Sequence, residues 1–315
     1  MILVTGATGF IGRALVRQLS ETGQPVRVLL RPSPRSPRLP KGVPVEVAVV
    51  SLNDASGVRA ALRGVHQIYH LASAGAQGRR GSLLTTDIEG TRMLAQMAAS
   101  AEVERFIYLS HLGADRASAF PVHKSKGIAE EHIRKSGVPH TIIRSSIVFG
   151  PEDGFTTTLS RFLRISPGLF PIPGDGRTLL QPLWVEDLVT CLIWTLEKPD
   201  SVNQTYDIGG GEYFTVRQIL ETIMNVTHTR RAILSLPPPY MRALFVMLDS
   251  FVREFSASTY WLDYAAVNRT CPVDNISRTF GLMPARFAYR LNYLEREPWH
   301  AGITKKIQEA FRISR

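Results

Sequence analysis

Residues 2–19, ILVTGATGFIGRALVRQL, join a short apolar run to a glycine turn and then to a segment whose Leu15, Val16 and Leu19 recur at helical spacing. The run is too short for most helices and reads as a buried strand. Gly6, Gly9 and Gly12 are spaced G-x-x-G-x-x-G, with Thr8, Phe10 and Ile11 between them. Such a turn lets backbone approach a pyrophosphate closely, and the helix that follows aims its N-terminal amides at the negative charge. A glycine triplet alone is weak evidence, so the rest of the chain has to agree with it.

It does agree. VRVLLR and VEVAVV read as strands separated by the loop PSPRSPRLPKGVP, and a helix at about 54–63 leads to the strand QIYHLAS. A helix around DIEGTRMLAQMAASA precedes the strand RFIYLS, a helix around Lys126 precedes the apolar run HTIIRSSIVFG, and VEDLVTCLIWTLEK leads as a helix to the strand QTYDIG. Strands alternating with helices predict an α/β protein with a Rossmann-type, doubly wound parallel sheet. Residues 1–150 are expected to form the nucleotide core, with about 182–212 returning to it. About 151–181 and 213–315 should form a smaller, mostly helical lobe for substrate or partner. In that lobe Thr215 is a plausible cap for the helix TVRQILETIMNVT.

Composition removes several classes. Over 315 residues, 44% are hydrophobic and 20% charged, which excludes a disordered chain. Cys191 and Cys271 stand far apart, so neither a disulfide framework nor a cysteine metal site is expected, and no histidine, cysteine and carboxylate cluster has metal spacing. A strand and turn at the very start leave no recognisable targeting segment, and a cytoplasmic location is expected. The most apolar stretch, PPPYMRALFVMLDSF, is interrupted by Arg242 and Asp249 and does not read as a membrane span. From Met241, residues Leu244, Phe245, Leu248, Phe251, Val252 and Phe255 form an apolar stripe that needs a covering surface. That surface is either the protein's own lobe or a membrane or second subunit. Arg242, Arg253 and the basic tail with Lys305, Lys306, Arg312 and Arg315 favour the latter, as a peripheral contact. The net charge of +10 attracts anionic partners, but no nucleic-acid motif accompanies it.

The end of the second strand discriminates between nicotinamide dinucleotides, because a carboxylate there binds the ribose 2′-hydroxyl and repels a 2′-phosphate. Here it is Arg31, followed by Arg35 and Arg38, and guanidinium groups bind phosphate through paired donors. NADP(H) is therefore expected, with NAD(H) as the alternative. Ser51 and Leu52, ending the third strand, should meet the adenine. Leu71, Ala72 and Ser73, after the fourth, should pass the ribose and phosphates.

TGATGFIG, YHLAS, RFIYLSHLGAD, HKSKGIAEEHIRKSG and TIIRSSIVFGPEDGF together resemble the short-chain dehydrogenase/reductase superfamily in its extended and atypical forms, over about the first 210 residues. More narrowly, RFIYLSHLGAD followed by KSKGIAEE and SSIVFGPEDGF resembles the nucleotide-binding accessory subunit of respiratory complex I and its bacterial relatives. The resemblance implies that Lys126 hydrogen-bonds the nicotinamide ribose and that Ser145 and Ser146 touch the carboxamide. It also implies a tyrosine one turn before the lysine, where this chain has Val122. The superfamily's serine or threonine beside the reacting carbonyl matches His111, with Ser110 before it. His123 is a possible substitute acid, Glu130 fits the same helix, and Asp87 stands where extended members often carry asparagine. The implied reading is an NADP(H)-binding protein whose standard chemistry is absent, with an accessory role at a respiratory or membrane-associated complex reached through the C-terminal lobe. The alternatives are a reductase, epimerase or dehydratase acting on a quinone, isoprenoid or sugar nucleotide through a substitute acid, and a redox-sensing regulator.

Overall fold

In the computed structural model, seven strands form one parallel sheet: β1 Ile2–Thr5, β2 Val26–Leu30, β3 Glu46–Val49, β4 Gln67–His70, β5 Arg105–His111, β6 His140–Ser145 and β11 Gln204–Ile208. The structure describes residues 1–34, 36–37, 39–75, 81–243 and 262–295. Spatial order is β11-β6-β5-β4-β1-β2-β3, so the chain leaves β1 in one direction and reappears at β4 on its other side. The crevice at that reversal, at the carboxyl ends of the strands, is where a doubly wound sheet binds ligands.

The strands are apolar on both faces because helices cover both. Ile2, Val4, Ile107 and Leu109 pack toward helices α1 Phe10–Glu21 and α6 Val185–Glu197. Leu3, Ile68, Phe106 and Tyr108 point the opposite way, toward α2 Ala55–Ala61, α3 Gly90–Ser100 and α4 Pro121–Ser136. Each such side chain, once buried, contributes about 1.5–3 kcal/mol. α2 starts where Asp54 accepts a hydrogen bond from Gly57 N–H. α4 starts with Pro121 and ends at Gly137 in the left-handed conformation, with Arg134 and Lys135 in its last turn.

Two boundaries differ from the sequence reading, each for a physical reason. The run HTIIRSSIVFG is not one strand: after Ser145 the chain turns out of the sheet, Ser146 N–H bonding Ile208 O, and a short strand β7 Val148–Phe149 pairs instead with β10 Leu183–Trp184. The helix around DIEGTRMLAQMAASA opens with a wide π turn, Leu84–Glu89, before its regular part begins at Gly90. The wider turn presents Thr85 and Thr86 on one side and buries Asp87 on the other.

Beyond the sheet, β8 Leu169–Pro173 pairs in parallel with β13 Ala232–Leu236, and β9 Leu179–Leu180 pairs antiparallel with β12 Phe214–Thr215. With α5 Thr156–Ile165, α7 Val216–Val226 and α8 Asn275–Phe280 they form the remainder. The core there includes Phe149, Phe155, Leu163, Ile172, Ile223 and Phe287. Thr215 caps α7 reciprocally with Gln218. No helix among the described residues is long and apolar enough to cross a membrane. Arg35, Arg38, positions 244–255 of the apolar stripe and the basic tail lie outside the described residues.

Candidate functional site

The glycine turn is sterically committed to its shape. Gly6 has φ +74°, and a Cβ there would stand 2.7 Å from Ala72 N. A Cβ on Gly12 would stand 2.2 Å from Gly6 O. Gly9 N–H bonds Gly6 O at 2.9 Å, closing the turn onto the first turn of α1, which begins at Phe10, Ile11 and Gly12. The α1 amides therefore face the crevice without a side chain in the way.

Beside this turn lies a cavity of about 730 Å³. It brings together Gly6, Thr8, Gly9, Arg31, Ser51, Leu52, Leu71, Ala72 and Ser73 from the sequence reading. It also draws in Thr5, Ser33, Val47, Val49, Asn53, Thr85 and Thr86, which sequence reasoning missed. The threonines come from the π turn, which has no local sequence signal. Among the described residues lining it there is no aspartate or glutamate, whereas Arg31 is exposed at its wall. A cleft with a cation and no carboxylate suits a phosphorylated ribose. Apolar Val47, Val49, Val50 and Leu52 suit a purine ring, and the glycine cradle suits a pyrophosphate. The residues present thus fit a pyridine dinucleotide.

The crevice is braced from below. His70 at the end of β4 sits between Thr5 Oγ1 at 2.6 Å and Thr91 Oγ1 at 2.8 Å, stacked on Tyr108. Burial holds it neutral, with its pKa lowered to about 3, and the nearby Lys126 charge adds to the effect.

Lys126 is buried on α4. Its Nζ lies 3.4 Å from Asp87 Oδ1, donates to Leu109 O at 3.3 Å and stands over the Tyr108 ring at 4.9 Å. Asp87 is completed by Ser73 Oγ at 2.7 Å and Ala74 N–H at 2.8 Å. A chain of contacts thus runs from the cavity wall at Ser73 through Asp87 to the lysine. Asp87 is the partner the sequence reading did not assign; it lies 39 positions from Lys126, and no spacing rule links them. Val122, one turn before Lys126, is buried, and its Cγ1 lies 3.2 Å from where a Gly75 Cβ would be. An apolar side chain packed against the backbone after β4 thus stands one turn before the lysine.

Ser110 faces the other way from His111 because successive strand residues alternate. Its hydroxyl donates to Glu130 at 2.6 Å, and Glu130 also accepts from Arg144 at 2.6 and 2.9 Å and from Arg134 at 3.0 Å. This group fastens β5, α4 and β6. Ser145 Oγ lies 3.4 Å from Ser110 O, and Ser146 Oγ donates to Gln181 O. None of Ser110, Lys126, Ser145 and Ser146 lines the cavity that holds the glycine turn.

His111 and His123 come together at the carboxyl end of β5, ring centroids 6.2 Å apart. Tyr264, brought in from far along the chain, lies 6.5 Å from the first and 6.1 Å from the second. Sequence reasoning missed it, since nothing near Tyr264 marks it. Arg269 stacks on Tyr264 and Phe120 and donates to the carbonyls of Leu112, Asp263 and Tyr264. Burial lowers the His123 pKa to about 3, helped by Arg269. His111 is likewise held well below 6.5, by burial first and then by Lys126, His123 and Arg269. Both are neutral imidazoles at neutral pH.

The parallel sheet, the glycine cradle and the acid-free cleft define a dinucleotide-binding protein of the Rossmann class, and residues 6–160 match the model of an NAD(P)H-binding family. The chain is similar to atypical and extended members of the short-chain dehydrogenase/reductase superfamily. It is 29% identical over 257 residues to NADH dehydrogenase [ubiquinone] 1 alpha subcomplex subunit 9 of Arabidopsis thaliana, covering 80% of this chain and 64% of that protein. It is 29% identical to sterol demethylase protein B of Methylococcus capsulatus, covering 80% and 82%, and 27% identical to ceramide reductase of Caulobacter vibrioides, covering 80% and 78%. The chain spans less than two thirds of the length of the complex I relatives it matches. The UDP-glucose 4-epimerase of Thermotoga maritima shares the fold at a TM-score of 0.62 and 24% identity, covering 75% of this chain and 85% of that one. MoeE5, solved with UDP-glucose and NAD, shares it at 0.71 and 21%, covering 97% and 99%.

Proposed function

We propose that this protein binds NADP(H) and retains it in an accessory or assembly role at a respiratory or membrane-associated complex, without the superfamily's tyrosine-dependent redox step. The observation that carries the reading is Val122: the cleft and Lys126 are in place, while the position of the proton donor is apolar and buried. His111 and His123 do not replace it as acids, because a neutral imidazole has no readily released proton at pH 7. Arg31, in a cleft without a carboxylate, favours the 2′-phosphate. In this role Arg31 and the glycine turn hold the two ends of the adenylate half, and the α1 N-terminus meets the pyrophosphate. Lys126, buried and paired with Asp87, is linked to the cleft through Asp87 and the Ser73 wall. When bound, the nicotinamide ring would supply a hydride acceptor or donor that finds no phenol beside it. The similarity to complex I subunits supports the accessory role.

Thermal melting with each dinucleotide tests this. NADPH at one hundred times its dissociation constant should stabilise the fold by about 2.7 kcal/mol, roughly 5 °C. Arg31→Asp should reverse the preference between NADPH and NADH. Absence of a shift with either nucleotide removes the proposal, and an unchanged preference removes the NADP assignment.

A second reading is favoured by Tyr264, whose ring meets both histidines at the carboxyl end of β5. In this reading the protein is an NADPH-dependent reductase that takes its proton from Tyr264, on a quinone, isoprenoid or other apolar carbonyl compound. The similarity to a ceramide reductase and a sterol demethylase protein supports an apolar substrate. NADPH oxidation that Tyr264→Phe lowers by a factor of about 10² to 10⁴ would establish it.

A further inference from the structure

The β8–β13 pair has one face in the core and one face out. Phe170, Ile172 and Ile233 pack inward. By the two-residue alternation of strands, Leu169, Pro171 and Pro173 on β8 and Ala232, Leu234 and Leu236 on β13 form the opposite face. Every residue of that outer face is apolar, where a two-stranded sheet facing water alternates with polar residues. Leu169 is 57% exposed and Leu234 45%, with Ile165 at 49% just before β8 and Tyr240 at 69% just after β13.

The same two segments are one-sided in charge. No aspartate or glutamate occurs between residues 154 and 174 or between 222 and 248, yet the first carries Arg161 and Arg164 and the second Arg230, Arg231 and Arg242, of which Arg242 pairs with Asp263 from outside them. They are joined in space: Arg231 donates to Arg164 O, and Ala232 N–H to Gly168 O. An apolar face whose two segments carry arginines and no carboxylate of their own matches a surface that offers acyl chains beneath a layer of negative charge.

We infer that the outer face of the β8–β13 pair seats the protein on an anionic lipid bilayer, its leucines entering the acyl boundary while the arginines meet lipid phosphates. The inference gives a surface to the membrane-associated part of the proposed role and is independent of the dinucleotide.

Full-length protein is sedimented with vesicles of phosphatidylcholine alone and of an equal mixture of phosphatidylcholine and phosphatidylglycerol. Binding is expected to the mixed vesicles and to weaken with added salt. Leu169→Glu with Leu234→Glu should abolish it, and Arg230→Gln with Arg231→Gln should weaken it about fivefold per arginine. Melting of each variant with and without NADPH checks that the fold and the nucleotide cleft persist, so a failed proposal about either site is told from the other. No binding to the mixed vesicles, or binding that the leucine variant leaves intact, overturns the inference. A dimer in sedimentation velocity that the leucine variant dissolves would assign the face to a second copy of the chain and overturn it as well.

Discussion

His70, His111 and His123 lie around the ends of β4 and β5, each held neutral chiefly by burial. Their folded pKa values are depressed from 6.5, so below that pH the unfolded chain takes up protons that the native state refuses. Stability is therefore full above pH 6.5 and falls as the pH drops toward about 3, where His70 and His123 titrate in the fold. Each histidine contributes about 1.4 kcal/mol per pH unit within that window. Asp153, Asp187 and Asp207 act the other way, since burial raises them and the native state accepts their protons early, which softens the loss nearer pH 4. Urea unfolding at pH 7, 6 and 5 should show the decline, and His123→Gln should make it shallower by about one proton. At this scale the glycines and Arg31 were legible in the sequence, because their constraints are local: a turn that admits no Cβ and a charge at a strand end. Asp87 and Tyr264 were not, since each acquires its meaning from a partner that only the fold brings near.

At the scale of elements, α4 carries the logic of the site on one buried face, which holds Val122, Lys126 and Glu130. Val122 packs by Gly75, Lys126 pairs with Asp87, and Glu130 binds Ser110 and Arg144 of the strands beneath. Arg144 is held in its charged form mainly by Glu130, although partial burial opposes it. Glu130→Gln leaves Arg144 and Ser110 with a weakened acceptor inside the protein. It should cost about 3 kcal/mol, measured as a lower urea midpoint, and affect dinucleotide affinity only through that loss. The helix and strand order could be read from periodicity because parallel strands covered on both sides are short apolar runs with helical patterns between them. The π turn at Leu84–Glu89 could not, because its wider winding leaves the hydrophobic spacing of α3 intact.

At the scale of the molecule, one buried side chain links the sheet to the later parts of the chain. The Gln181 side chain donates to Gly210 O at 2.6 Å and accepts from Cys271 N–H at 2.9 Å, while its backbone carbonyl accepts from Ser146 Oγ. Cys271 beside it is buried, and that burial pushes its thiol up to about 11. Alkylation of Cys271 should therefore wait for unfolding. Gln181→Leu, which leaves two buried backbone groups without a partner, should cost about 3 kcal/mol and speed labelling about a hundredfold. A labelling rate indifferent to this change would mean that the two regions open separately. Sequence patterns located the strand QTYDIG but not this link, since a glutamine between two short strands has no periodic signature.

The seventh strand reaches its place only after the chain has left β6 and run from residue 146 to 203. During synthesis, then, the β6 margin stays open while roughly sixty more residues emerge from the ribosome. A product stopped before Gln204 would carry that open row of amides and carbonyls as a template for stray strands. Early translation stops in this gene would yield material prone to clump, whereas stops after Ile208 would leave the margin closed.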